Sequence, residues 1–424
     1  MSTKAIGPET SITIDGKGKY LIPGLWDMHT HTLRQERIGA FFPLFIANGI
    51  TGIRDMGMPL ENLELLKEWR KEIQVGGRIG PRIVASGATL GGARRQLTIS
   101  IANDTAARKA VMMLKERGAD FIKVYSLLPR TAFFAAVEEA KSQGLDIVGH
   151  VPVWVSAAEA SDAGQKSMEH LYGILEACST KEEQVRKEVE KAAMNTDTWA
   201  AWGAVVRITD QLYGQQEREK TFSKEKCAAL FARFVKNGTW QCPTLVMRRA
   251  LTLRDDSGFI NDIRLKYIPQ SDLNGWNAAG DTRNANLSAE EFNNRKIRLA
   301  KESELVGEMS RARVKLLAGT DLGNPFVYPG FSLHDELELL VQAGLSPLQA
   351  LQTATINPAR FLGMQDSLGI IEKGKIADLV LLDANPLENI SNIKKIYAVI
   401  VNGKLFQRKD LDQLLDKAKE LAAK

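Results

Sequence analysis

Short apolar and β-branched runs alternate with longer stretches of helical period from about residue 25 to residue 321, the pattern of repeated βα units around a parallel sheet. Eight runs have strand character: 25–31 (LWDMHTH), 52–55 (GIRD), 82–87 (RIVASG), 121–126 (FIKVYS), 146–150 (DIVGH), 166–170 (KSMEH), 239–245 (TWQCPTL) and 315–321 (KLLAGTD). Eight strands close a barrel, so the pattern predicts an α/β protein built on a (β/α)8 TIM barrel. Between them, 60–73 sets Leu63, Leu66, Trp69 and Ile73 at helical spacing, and 105–117 does the same with Val111 and Leu114. Two connections, about 174–238 and 246–314, are far longer than a loop plus one helix. They predict helical insertions over one mouth, with 181–194 and 288–313 as lid elements or as solvated helical faces.

Beyond the eighth run, 347–362 reads as a final helix, and then the texture changes. The segments 369–382 and 395–406 are Gly-punctuated strands with an Asn402-Gly403 turn signal, and 11–21 has the same character and is expected to pair with them. A helix at 410–424 closes the chain. The expected organisation is residues 1–22 and 365–424 forming a small β-sandwich from both chain ends, with the barrel at 23–364.

Composition narrows the class. With 424 residues, 44% hydrophobic and 25% charged, the chain is an ordinary globular one, which excludes disordered and fibrous classes. The net charge is +5 with no run of five like charges, so no nucleic-acid partner is expected. No apolar run approaches the roughly 18 residues a membrane helix needs, so no membrane partner is expected. Cys178, Cys227 and Cys242 are too few and too scattered for a disulfide framework or a thiolate metal site, which predicts a reduced compartment. The polar opening at 2–11 carries no signal sequence, so the chain reads as cytoplasmic as it stands and as exported if its N-terminus is shortened. Trp199, Trp202 and Trp276 in the insertions point to an interface or a lid, leaving a homo-oligomer open.

Only five histidines are present, and four of them fall at the C-terminal ends of the expected strands, the face that carries barrel active sites. His29 and His31 are two apart on one strand and so point to the same side. Asp321 ends the eighth strand, the neighbour of the first in a closed barrel, and brings a carboxylate to the same pair. His150 and His170 supply two more imidazoles from the fifth and sixth strands. This set predicts a metal site, with zinc first among the candidates. Lys123, inside the fourth strand, is either salt-bridged to Asp120 or Glu169, or is an amine of lowered pKa able to form a carbamate with carbon dioxide. Tyr125 and Tyr172 follow closely on Lys123 and His170, where they either pack in the core or contact substrate. Arg54 and Asp55 read as a structural ion pair. His334, behind an expected Ser332 N-cap, is either a contact behind the ligands or with substrate, or a plain surface position.

The motifs PGLWDMHTH (23–31), GITGIRDMG (49–57), GADFIKVYS (118–126), GHVP (149–152), EHLYG (169–173), AGTDLG (318–323) and ATINPARFLG followed by GKIADLVLLDANPL resemble the amidohydrolase superfamily, in its imidazolonepropionase-related and Xaa-Pro dipeptidase (prolidase)-like branch. The resemblance implies a metal-dependent hydrolase acting on C–N bonds of a small-molecule substrate. By position, it implies one metal held by His29, His31 and Asp321, a second held by His150 and His170, and a carboxylated Lys123 bridging the two. A metal-bridging hydroxide would attack the amide, with Asp321 as general base and then acid. Competing readings are a mononuclear cyclic amide hydrolase or deaminase and a catalytically silent binding protein on the same fold. Ring deaminases often place a Glu soon after a ligand histidine, whereas His150 is followed by Val151 and Pro152, and His170 by Leu171 and Tyr172.

Overall fold

Most of the parallel strands are buried on both faces, as expected of strands covered by helices, and those nearest the site bury polar residues such as Asp27, His29, Arg54 and Asp55 among the apolar ones. The structure, a computed structural model, describes residues 13–92, 97–194, 199–253, 257–276 and 287–423. In chain order the strands are β1 (Tyr20–Pro23), β2 (Leu25–Thr30), β3 (Ile50–Asp55), β4 (Arg82–Ala85), β5 (Thr89–Gly91), β6 (Thr98–Ser100), β7 (Ile122–Val124), β8 (Ile147–Gly149), β9 (Ser167–Glu169), β10 (Trp240–Cys242), β11 (Leu379–Leu382), β12 (Ile396–Val401) and β13 (Lys404–Gln407). β2, β3 and β4 pair in parallel, and a second parallel sheet runs β10-β9-β8-β7-β5-β6. The eighth expected run is a chain of bridges rather than a ladder. Leu317 N donates to Gln241 O at 2.9 Å, Met28 N to Ala318 O at 2.9 Å and Asp321 N to His29 O at 2.8 Å, so this segment lies between β10 and β2. The sequence pattern does not predict β5 and β6, which at three residues each are too short for a period of two to register.

The expected helices are Asn62–Gln74, which buries Leu63, Leu66, Trp69 and Ile73, and Asp104–Arg117, whose Asn103 side chain accepts from Ala106 N. In the insertions, Glu182–Met194 and Ala289–Arg311 match the expected stretches, the second opened by a reciprocal Ser288–Glu291 cap. Trp199–Glu219 packs against both, so the two insertions form one helical layer. Trp276 is half-buried, 5.4 Å from Phe326 and 6.1 Å from Tyr328 between ring centroids, and the side chains of Trp199 and Trp202 lie outside the described residues. Among the described residues no helix is long and apolar enough to cross a membrane.

The final helix is broken in two, Pro347–Thr353 and Ile356–Phe361. Pro358 has no N–H to give to Ala354 O, and that carbonyl instead accepts from Trp26 N at 2.8 Å, tying the break to β2. β1 pairs antiparallel with β11 in a sheet ordered β1-β11-β12-β13, so the opening segment joins the closing strands as expected, though residues 11 and 12 lie outside the described set. The last helix, Arg408–Ala422, buries Leu411, Leu414, Ala418 and Ala422 and packs on Gln35–Ala47.

The cysteine expectation is overturned, and with it the ground for expecting a reduced compartment. Cys178 and Cys227, 49 residues apart, form a buried disulfide, and Cys242 is free. Sequence spacing carries no connectivity, and here two helix termini bring the sulfurs together. The bridge encloses Glu182–Met194 and Trp199–Glu219. By loop-closure entropy, Cys227→Ser should lower unfolding free energy by about 2–4 kcal/mol in a denaturant titration, and the same loss should follow reduction of the wild type. Equal stability of the oxidised and reduced forms would show that the bridge contributes nothing.

Candidate metal centre

The side chains singled out in the sequence meet at the C-terminal ends of the parallel strands. His29 lies near the end of β2 and His31 just beyond it, His150 follows β8, His170 follows β9, and Lys123 is the middle residue of β7. Asp321 (φ 56°), His170 (φ 63°) and Thr244 (φ 50°) all adopt the left-handed backbone region, a strain that persists only where the surroundings impose it.

Asp321 is the hub. Its Oδ1 is 3.4 Å from His29 Nε2 and 3.3 Å from His31 Nε2, and its Oδ2 is 3.8 Å from His170 Nε2. His150 closes the group, its ring 4.9 Å from that of His170. Each imidazole has its other nitrogen occupied. His29 Nδ1 donates to Glu169 Oε2 at 2.8 Å and His31 Nδ1 to Gly57 O at 3.2 Å, while His150 Nδ1 meets Ser126 Oγ at 2.6 Å and His170 Nδ1 meets Thr244 Oγ1 at 2.7 Å. Such partners fix ring orientation and leave Nε2 as the lone-pair donor, which is the arrangement of a metal-ligating histidine. His29 Nε2 and Lys123 Nζ are buried without a hydrogen-bond partner, so the donor set fits a cation better than it fits a closed protein network. His29, His31 and Asp321 have ligand atoms close enough to share one ion.

Burial sets the charges. It lowers His29 to about 4 and takes His150 and His170 well below the usual histidine value, so these rings are neutral near pH 7, the state a ligating imidazole requires. Burial alone would raise Asp321, but the facing His170 and His29 hold it well below the usual carboxylate range. Lys123 is lowered to about 8, chiefly by burial, and it makes no ion pair with Asp120 or Glu169. Asp120 instead pairs with Arg70. Its space is protected by Gly149 (φ 128°), where an added Cβ would sit 2.8 Å from Lys123 Cδ and 2.2 Å from Val124 O. Gly319 is equally constrained, since a Cβ there would lie 2.6 Å from Cys242 Sγ and 2.8 Å from His29 Cβ.

Under the histidines lies a buried charge pair that differs from the Arg54–Asp55 pair expected from the sequence. Arg54 does not pair with Asp55. Its Nη2 donates to Glu169 Oε1 at 3.0 Å, its Nη1 to Ser167 Oγ at 3.0 Å and its Nε to Met28 O at 2.6 Å. Asp55 instead accepts from the backbone N–H groups of Thr32 and Leu33, holding the turn that carries His31. Successive strand residues face opposite sides, which sends Arg54 and Asp55 to different partners. Glu169, Ser126 and Thr244 hold the histidine rings, a role not expected of them from the sequence. The one available signal was position, one residue before a ligand histidine or at a strand end.

The tyrosines flank the centre, with Tyr125 4.2 Å from the His150 ring and Tyr172 4.9 Å from it and 5.2 Å from His170. His334 is neither a surface position nor turned to the cluster. It is buried in Phe331–Gln342, with Nε2 donating to Asn48 O at 2.9 Å, and the helix is capped at Gly330 while Ser332 Oγ accepts from Tyr328 N. Burial lowers His334 to about 4. A folded value below the unfolded 6.5 means that its contribution is complete above pH 6.5 and is lost as pH falls towards 4. That loss should approach about 3 kcal/mol, and His334→Gln, which keeps a donor for Asn48, should flatten the stability-versus-pH curve between pH 6.5 and 4. An unchanged slope would remove His334 as its source.

A parallel α/β sheet with imidazoles and a carboxylate gathered at its strand ends is the active face of a metalloenzyme class. Residues 20–406 match the amidohydrolase family, and the chain belongs to it, a family of metal-dependent hydrolases acting on C–N bonds. Among solved structures, the chain is similar to a bottromycin amidohydrolase (TM-score 0.70, 23% identity, covering 96% of this chain and 81% of that one) and to a Xaa-Pro dipeptidase crystallised with methionine in its active site (TM-score 0.66, 20% identity, 95% and 91%). It also matches a 5-methylthioadenosine/S-adenosylhomocysteine deaminase of Moorella thermoacetica at 31% identity over 156 residues, 30% of this chain. The curated relatives are matched over only part of their length, from 9% to 34%.

Proposed function

We propose that the protein hydrolyses an amide or peptide bond in a small substrate, a dipeptide with proline or another residue at its C-terminal side, or an N-acyl amino acid. The observation that carries this reading is the convergence of four imidazoles and the Asp321 carboxylate with every imidazole Nδ1 already engaged. On this reading residues 23–364 form a closed (β/α)8 barrel, and 1–22 with 365–424 form a small β-sandwich. His29, His31 and Asp321 would hold one divalent cation and His150 and His170 a second, with Lys123, as its carbamate, a ligand to both, and zinc the first candidate. Bound there, such cations acidify water and polarise a carbonyl.

The chain's own residues do the rest. Asp321, ionised and within reach of both histidine pairs, accepts a proton at its carboxylate and returns it to the leaving amine. Tyr125 and Tyr172 border the histidines, placed to donate to the carbonyl oxygen as charge develops or to hold a substrate carboxylate. Neither ligand histidine on the facing wall is followed closely by a Glu that would protonate a ring nitrogen, which favours amide hydrolysis over deamination although the matched relatives include deaminases.

The test is a panel of dipeptides, N-acyl amino acids and adenine nucleosides offered to zinc-reconstituted protein. Release of amino acid from the first two groups is expected. Ammonia release from the nucleosides alone would overturn the reading in favour of a deaminase.

A further inference from the structure

Behind Tyr172, between the strand ends and the helical layer, lies a cavity walled by Val151, Pro152, Val205, Val206, Tyr172 and Arg298. The apolar wall is unremarkable. The cation is not, because the Arg298 side chain is 1% exposed and sits deep in a protein interior. Its Nη1 donates to Asp210 Oδ1 at 2.9 Å and its Nε to Glu302 Oε1 at 2.8 Å, while Nη2 has no acceptor. Arg248 repeats the situation. Its side chain is 7% exposed, its Nε lies 2.8 Å from Glu302 Oε2, and its Nη2 is buried without an acceptor. The two guanidinium carbons stand 5.7 and 5.6 Å from the Tyr172 ring centroid, and that ring in turn borders His150 and His170. Glu176 lines the same cavity, yet it makes no ion pair with either guanidinium.

A buried guanidinium with an unanswered donor is costly, and its planar fork matches a carboxylate. Arg248 is placed by the same short segment that places the His170 partner, since its helix Leu245–Leu253 begins immediately after Thr244. Arg298 comes from the long insertion helix Ala289–Arg311. Two separate parts of the chain therefore bring incompletely satisfied cations to one aromatic ring at the edge of the metal centre.

We infer that Arg248 and Arg298 bind the free carboxylate of the substrate, with the valine-lined wall receiving an aliphatic side chain, so that the preferred substrates are N-acyl or N-aminoacyl derivatives of aliphatic amino acids with an unblocked carboxyl group. This rests on the amide-hydrolase reading for the reaction, but the subsite is testable without turnover. The probes are N-methanesulfonyl-L-leucine, whose sulfonamide resists hydrolysis, and its carboxamide, titrated calorimetrically into the zinc-reconstituted protein. The acid is expected to bind about 100-fold more tightly than the amide, and Arg248→Gln and Arg248→Lys are each expected to remove most of that preference, the lysine variant guarding against misfolding by retaining the charge. Binding of both probes alike, binding of neither, or an acid preference that survives both substitutions overturns the subsite. In parallel, N-acetyl-L-leucine and its C-terminal amide are assayed for release of acetate. If neither is hydrolysed while the acid preference in binding persists, the reading of the reaction fails and the carboxylate subsite stands.

Discussion

Asp321→Asn should lower kcat/KM for any amide substrate by about 1,000-fold or more while the far-ultraviolet circular dichroism stays unchanged. The carboxylate touches three of the four histidines, at 3.3, 3.4 and 3.8 Å, so the amide loses the negative charge that the cluster is arranged around and, on the proposed mechanism, the group that carries a proton to the leaving amine. The fold should survive, because the segment is held by bonds that do not use the Asp321 side chain: Asp321 N donates to His29 O, and Thr320 Oγ1 and N donate to the Asp27 carboxylate. His29→Ala should have a comparable effect and leave Glu169 paired with Arg54. Near-normal turnover in Asp321→Asn would remove this residue from the chemistry.

Lys123→Ala should reduce bound metal by at least half, measured by elemental analysis after dialysis, and short-chain carboxylic acids should restore part of the activity by occupying the vacated space. A buried amine with no partner, lowered to about 8 by burial and flanked by His29 and His150, is poorly explained as a bare ammonium and well explained as the stem of a ligand. Gly149 guards that stem, so Gly149→Ala, by crowding Lys123 Cδ and Val124 O, should show a milder form of the same metal loss. Unchanged metal content in Lys123→Ala would point to a single-ion site.

The strand pattern and the gathering of the histidines with Asp321 were legible because both depend on short-range rules: apolar runs flanked by helical periods, and histidines or acids at the ends of those runs. Seven of the eight runs contain strands, and the eighth, 315–321, is held by isolated bridges on either side. What the chain order does not carry is which distant side chains meet. Arg54 had an acid next to it in sequence, but alternation turned the two apart, and its partner lies more than a hundred residues away in Glu169. Cys178 and Cys227 read as scattered for the same reason. The break between Thr353 and Ile356 depends on Trp26 claiming a carbonyl, a long-range competition that helical periodicity cannot register. Arg298 lies in 288–313, which reads as a lid element or a solvated face until the helices of the two insertions stack and bury it, and Arg248, just past the seventh run, carries no sequence signal at all.

The central claim is that these histidines, Asp321 and Lys123 form a two-cation centre, and metal stoichiometry per chain on zinc-reconstituted, freshly dialysed protein tests it most directly. About two equivalents are predicted, falling towards one in Lys123→Ala. One equivalent in the wild type would contradict the bridged centre, and none would contradict metal catalysis by this chain altogether.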